Sequence, residues 1–181
     1  PKQAGKSTLA MALVRHGARL LTDDTLAVRF DGDGTAWAAP GVQRVRLWDD
    51  AARALDVVTS GARGAKPTVG CLTSNELESR EVRVAACYVL HAGGRRAHAA
   101  AVREPLSPVH AAIACLRFSR LGPLAGGREG QVVLDRVARL ARAVPVFDLT
   151  VRRDLAMLDD AAALVVAWHG AKSRAAAEAG K

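Results

Sequence analysis

Five consecutive residues, Ala4-Gly5-Lys6-Ser7-Thr8, have the types and order that hold the phosphates of a nucleotide. In such a loop the glycine lets backbone N–H groups turn inward around phosphate oxygens. The lysine brings a point charge to the β- and γ-phosphates, and the following hydroxyl coordinates magnesium. Lys6 is then the phosphate lysine, Ser7 the magnesium ligand, and Thr8 sits within reach of the α-phosphate. The full G-x-x-x-x-G-K-[ST] motif places its first glycine just ahead of Pro1. The chain, which starts without Met, is therefore expected to be a fragment that opens inside the loop and lacks the strand before it.

A second pair of reactive groups, Asp23-Asp24, follows closely. The elements between predict where it falls. Lys6 to about His16 reads as a helix, with Leu9, Ala10, Leu13 and Val14 on one face and Gly17 suited to a left-handed C-terminal position. Its N-terminus adds an anion-attracting dipole to the loop. Ala18 to Thr22 reads as a short buried strand that ends in the two acids. A right-handed crossover lays that strand parallel to the one before the loop, so its C-terminal end falls beside the phosphates. Adjacent carboxylates repel there unless a metal or a proton offsets them. One can support magnesium while the other accepts the proton of an attacking hydroxyl. The alternative is a solvated turn before the next hairpin.

Farther along, Thr25–Phe30 and Thr35–Ala39 flank the turn Asp31-Gly32-Asp33-Gly34, a hairpin pattern without the later acids of a calcium loop. Val42 to Trp48 alternates in part, leaving Arg44 and Arg46 as phosphate contacts or as strand-surface charges. Asp49 or Asp50 caps a short helix through Leu55, and Gly61 to Gly70 reads as a flexible stretch. Val82 to His91 is a strand, turning at Gly93-Gly94 into a partner through Val102. Ser107 caps a helix from Pro108 to about Leu116, and Val132 to Ala143 is a further helix. Val144 to Leu149 is a strand, Asp154 caps a helix through about Trp168, and the tail at 171–181 frays. Residues 1–170 then form one α/β domain, a mixed sheet flanked by helices.

Composition narrows the function classes. The 181 residues are 50% hydrophobic and 24% charged, ordinary globular usage. No apolar run is long enough for a transmembrane helix, and the first residues do not form a secretory signal. The net charge of +8 comes from dispersed basic residues rather than a basic arm. Trp48 and Trp168 are isolated and make no stacking platform, so nucleic acid is not an expected partner, nor is a membrane. Three cysteines without C-x-x-C spacing fit reduced thiols in the cytoplasm. The five histidines lack zinc spacing, and no G-x-S-x-G element is present.

The stretch A-G-K-S-T-L-A-M-A-L-V-R-H-G-A-R-L-L-T-D-D resembles the P-loop and acid pair of the HPr kinase/phosphorylase family, in the short form without that enzyme's N-terminal domain. Softer likenesses extend it over most of the chain: A-P-G-V-Q-R-V-R-L-W-D-D, V-A-A-C-Y-V-L-H with E-P-L-S-P, and V-P-V-F-D-L-T-V-R-R-D-L-A-M-L-D. The resemblance implies a fold like the C-terminal domain of that enzyme, ATP and Mg2+ as cofactors, and phosphoryl transfer to a hydroxyl, often a serine of a protein or peptide. Relatives of the short kind are linked to modification of peptide natural products. By the same resemblance Asp23 is the general base, Asp24 assists the magnesium, and Lys6 stabilises the transferring phosphoryl group. The family's E-x-R-G-x-G-I segment is absent between Arg44 and Val58, which removes its second metal-binding glutamate and argues against the reverse phosphorylase activity. A small-metabolite kinase and a non-catalytic nucleotide-binding partner module remain alternatives.

Overall fold

The computed structural model describes residues 5–57, 59–60, 68–69, 72–93, 99–120 and 127–178. The first helix, α1 (Lys6–Arg15), stops where the sequence predicts. Gly17 adopts a φ of 87°, in the left-handed region that an L side chain rarely enters. Its N–H reaches back to the Val14 carbonyl at 2.9 Å. The predicted strand at 18–22 is reduced to one parallel bridge between Leu20 and Leu77. The reason lies in its partners: Leu20 donates to Glu76 O (2.7 Å) and accepts from Glu78 N (2.9 Å), while flanking residues bond elsewhere. Gln43 Nε2 also donates to the carbonyls of Leu20 (3.0 Å) and Glu78 (2.7 Å). The Glu78 carboxylate is buried and pairs with Arg19, so three distant segments meet at one polar clamp.

The hairpin forms as expected from β1 (Ala27–Phe30) and β2 (Ala36–Ala39), paired antiparallel. Asp31 holds the turn by accepting from Thr35 N (2.8 Å) and Trp37 Nε1 (2.8 Å). These bonds favour the ionised form and keep its carboxyl below the usual range, the Trp37 bond most strongly. After the hairpin, Val45 and Leu47 are buried while Arg44 and Arg46 are exposed, so the alternation is real. The next helix, α2 (Asp49–Ala54), has Trp48 rather than an aspartate at its N-cap position, with no side-chain cap. Asp49 and Asp50 occupy its first turn, where they complement the helix dipole.

Within the predicted Gly61–Gly70 stretch only Thr68–Val69 is described. That pair forms β4, antiparallel to β3 (Thr59–Ser60). The run Val82–His91 splits into two strands in different sheets. Here β5 (Val82–Arg83) extends the hairpin, and β6 (Cys87–Gly93) joins a second sheet. The expected β6 hairpin with the next strand, β7 (Ala101–Pro105), does not form. Instead β8 (Val146–Arg152) inserts between them, parallel to β6 and antiparallel to β7. The Gly94 half of the predicted turn lies outside the described residues.

Helix α3 (Pro108–Phe118) starts at the predicted cap, with Ser107 Oγ accepting from His110 N at 3.4 Å. It packs against α4 (Gly127–Ala143), which begins earlier than its apolar pattern indicated. Asp154 accepts from Ala156 N (3.1 Å) and opens a 3₁₀ turn, Leu155–Met157, rather than the helix itself. That turn leads into α5 (Leu158–Glu178), which takes in most of the 171–181 tail; residues 179–181 lie outside the described residues.

The protein is thus α/β, with a mixed sheet and packed helices. The main core joins α1, α2, α5, the β6–β8 pair and the Val45–Leu47 segment. Ala161 and Ala162, fully buried on α5, let that helix approach closely where α1 packs on it. His16 Nε2 and Asp159 Oδ1 tie the same two helices at 2.9 Å. Arg15 donates to the Leu55 carbonyl and so joins α1 to the end of α2. Burial raises the Cys87 thiol to about 11, and Cys115 nearby adds to the effect. Such a thiol is an inert filler rather than a nucleophile. Among the described residues no helix is long and apolar enough to cross a membrane.

Candidate functional site

The phosphate-loop residues open α1. Gly5 is its N-cap at φ 83° and ψ 14°, and no side chain caps the helix. An L residue at that φ would be strained, although no atom lies within 4 Å of where its Cβ would stand. The first intrahelical bond runs from Leu9 N to Gly5 O at 2.9 Å. No acidic residue occupies the first turn, so the positive end of the helix dipole is left for an external anion. Ala4 lies outside the described residues.

Gly5, Lys6, Ser7 and Thr8 form one wall of a cleft of about 870 Å³. A second wall is the start of α2, with Trp48, Asp50 and Ala51. The floor comes from Leu90 and Ala92 of β6 and Val151 of β8. Both strands run toward the cleft with their C-terminal ends, where parallel sheets present ligand-binding loops. Arg152, Arg153, Asp154 and Leu155 follow directly and close the remaining side. Arg152 Nη2 lies 3.3 Å from Asp154 Oδ2. Three cations, Lys6, Arg152 and Arg153, therefore meet two carboxylates, Asp50 and Asp154, with hydroxyls from Ser7 and Thr8. That mixture suits a polyanion with hard oxygen donors on a divalent cation.

Asp23 and Asp24 are not among the cleft-lining residues. Asp24 Oδ2 instead bonds Arg120 Nη2 at 2.6 Å, and Arg120 Nε reaches Thr25 Oγ1 at 3.2 Å. Asp23 N donates to Val42 O at 3.1 Å, and the next link, Gly41 N to Leu21 O, is also 3.1 Å. Lys6, Ser7 and Thr8 thus share one cleft, whose lining does not include Asp23 or Asp24. Arg44 and Arg46 likewise do not line the cleft. Among the described residues no group of three or more His, Cys, Asp or Glu side chains forms a metal cluster. Ser7 and Asp50 are oxygen donors on the cleft lining, the ligand type that Mg2+ takes.

Sequence reasoning missed Trp48, Asp50, Arg152 and Arg153 as cleft residues. For the arginines a signal existed, because Arg152-Arg153 follows shortly after the strand candidate Val144–Leu149 and such ends carry ligand contacts. Trp48 and Asp50 had no such signal in the residues around them, although Val45 and Leu47 just before them are buried in the core. Comparison of the chain with family models, curated proteins and solved structures found no match.

Proposed function

We propose that this protein is an ATP-dependent kinase of the P-loop type, transferring a phosphoryl group to a hydroxyl, with a serine of a protein or peptide as acceptor. The observation that carries the proposal is one cleft whose lining joins the left-handed Gly5 and the uncapped start of α1 with Arg152 and Arg153. Backbone N–H groups of the first turn bind phosphate oxygens, and Lys6 neutralises charge on the β- and γ-phosphates. Arg152 and Arg153 hold the same oxygens from the sheet side. The Ser7 hydroxyl and a carboxylate would hold Mg2+, which would supply charge neutralisation on the phosphates. The acceptor oxygen attacks the γ-phosphorus, the bond to the β-phosphate oxygen breaks, and ADP leaves. The acceptor's proton passes to a carboxylate: Asp23 by resemblance to the HPr kinase family, or Asp50 by its place on the cleft. Asp23→Asn and Asp50→Asn, compared in single-turnover transfer, decide between them, because the variant lacking the base loses the chemical step and keeps nucleotide binding.

The displaced acid pair favours a second reading, a nucleotide-binding module without turnover in the cytoplasm. Calorimetric titration of Mg-ATP beside Lys6→Ala, followed by labelling of serine peptides and small hydroxyl metabolites in separate assays, distinguishes the cases. Binding that Lys6→Ala loses, with transfer to a serine peptide, supports the kinase. Binding without transfer supports the module, and no binding removes both.

A further inference from the structure

The chain has three tryptophans, and the structure uses them differently. Trp37 donates its indole N–H to Asp31 Oδ2 at 2.8 Å and has the Arg29 guanidinium over its ring at 5.8 Å. Trp168 lies under the Arg103 guanidinium at 4.6 Å and packs against the core. Trp48 has neither kind of partner among the described residues, and it is 49% exposed. Exposed indole faces are unfavourable in water, and a buried or stacked one is the usual state of this side chain. Trp48 is also a wall of the cleft that begins at Gly5. Leu155, 40% exposed, lines that cleft too. The other large exposed hydrophobics, such as Val109, Ile113 and Phe118, do not.

The cleft is therefore two-natured. Its polar lining is the Lys6–Ser7–Thr8 turn with Arg152, Arg153, Asp50 and Asp154, and its apolar lining includes Trp48 and Leu155, the large exposed hydrophobics among it. A ligand matching both is an anion joined to a flat apolar ring, which is the form of a nucleoside triphosphate. We propose that Trp48 forms the base subsite, its indole stacking on the nucleobase, with Leu155 lining the same apolar part. This assignment rests on the nucleotide reading above and deepens it. Stacking favours any aromatic base, since each presents a π-face, so Trp48 confers affinity for nucleotides over bare polyphosphate rather than discrimination among bases.

The test compares Mg-ATP with Mg-tripolyphosphate, which keeps the phosphates and lacks the base. Both are titrated by calorimetry into the parent protein, Trp48→Ala and Trp48→Phe, each checked for an unchanged thermal midpoint. Trp48→Ala is expected to weaken Mg-ATP about tenfold or more, the scale of lost base–aromatic stacking, and to leave tripolyphosphate within about twofold. Trp48→Phe is expected to keep a ring and most of the affinity, and to lose most of the Mg-ATP quenching of indole fluorescence expected of the parent. Equal weakening of both ligands, or unchanged Mg-ATP affinity in Trp48→Ala, overturns the base subsite. So does a loss confined to the affinity for a serine peptide, which would make Trp48 an acceptor contact. A parent that binds tripolyphosphate but no better binds ATP overturns this proposal alone, whereas a parent that binds neither overturns the nucleotide reading beneath it.

Discussion

Asp154 and Asp24 both follow apolar runs that read as strands, yet one lines the cleft and the other bonds Arg120 outside its lining. The difference lies in how each run is held. Strand β8 pairs along most of its length on both sides, with β6 and β7, so the residues after it are delivered to a fixed place at the sheet end. The run before Asp24 pairs through Leu20 alone, and its path is set by Gln43, by the Glu78–Arg19 clamp and by bonds to the Gly41–Val42 segment. An acid's distance from a phosphate loop in sequence therefore says less than the number of strands that hold its neighbour. The cleft lies at the well-paired end, and the run before Asp24 contributes no residue to its lining.

The largest effect expected from this contrast is on phosphate handling. Lys6→Ala should lower phosphoryl transfer by about a hundredfold or more, the usual scale for removing a charge that stabilises the transition state. A radiolabel assay reads it, and transfer near the parent rate would place the phosphates elsewhere. Next comes the packing beneath the cleft wall. Leu47 is fully buried, and Leu47→Ala should cost about 2–5 kcal/mol in urea unfolding. A cost below about 1 kcal/mol would show that the Val45–Leu47 segment does not anchor α2.

A pH titration sharpens the other side of the comparison. The Glu78 carboxyl is held below its ordinary range, chiefly by the Arg80 backbone N–H and further by the charges of Arg19 and Arg80. Because its folded value is depressed, its contribution is present above the unfolded value and is lost as pH falls through the folded one. The urea midpoint should therefore decline in the acid range, and Glu78→Gln should decline less steeply from a lower starting point. Parallel curves would dissociate the clamp from acid stability. The smallest effect belongs to the acid pair itself: Arg120→Ala breaks an exposed ion pair and should change stability by about 1 kcal/mol or less. A larger loss, or a fall in transfer, would tie Asp24 to the cleft after all.

Local chemistry was the legible part of this sequence. Gly5 and Gly17 sit where only their backbone freedom fits well, the Asp31–Gly34 turn closes its hairpin, and Ser107 caps α3. Each depends on residues a few positions apart. What could not be read was the choice of partner at long range. Val82–His91 looks like one strand because nothing in its pattern marks the break between Arg83 and Cys87, and the insertion of β8 beside β6 depends on residues far along the chain. Trp48 was illegible for the same reason, since its role follows from which helix starts open onto one space.

The ties among those helix starts have a further consequence for how a ligand is received. Arg15 fastens α1 to the end of α2, His16 and Asp159 join α1 to α5, and α2 touches the 3₁₀ turn that precedes α5. The walls of the cleft thus form a closed, cross-braced ring. Ties of this kind oppose a large closure, and a frame held by them spares affinity the entropy of ordering a loose site.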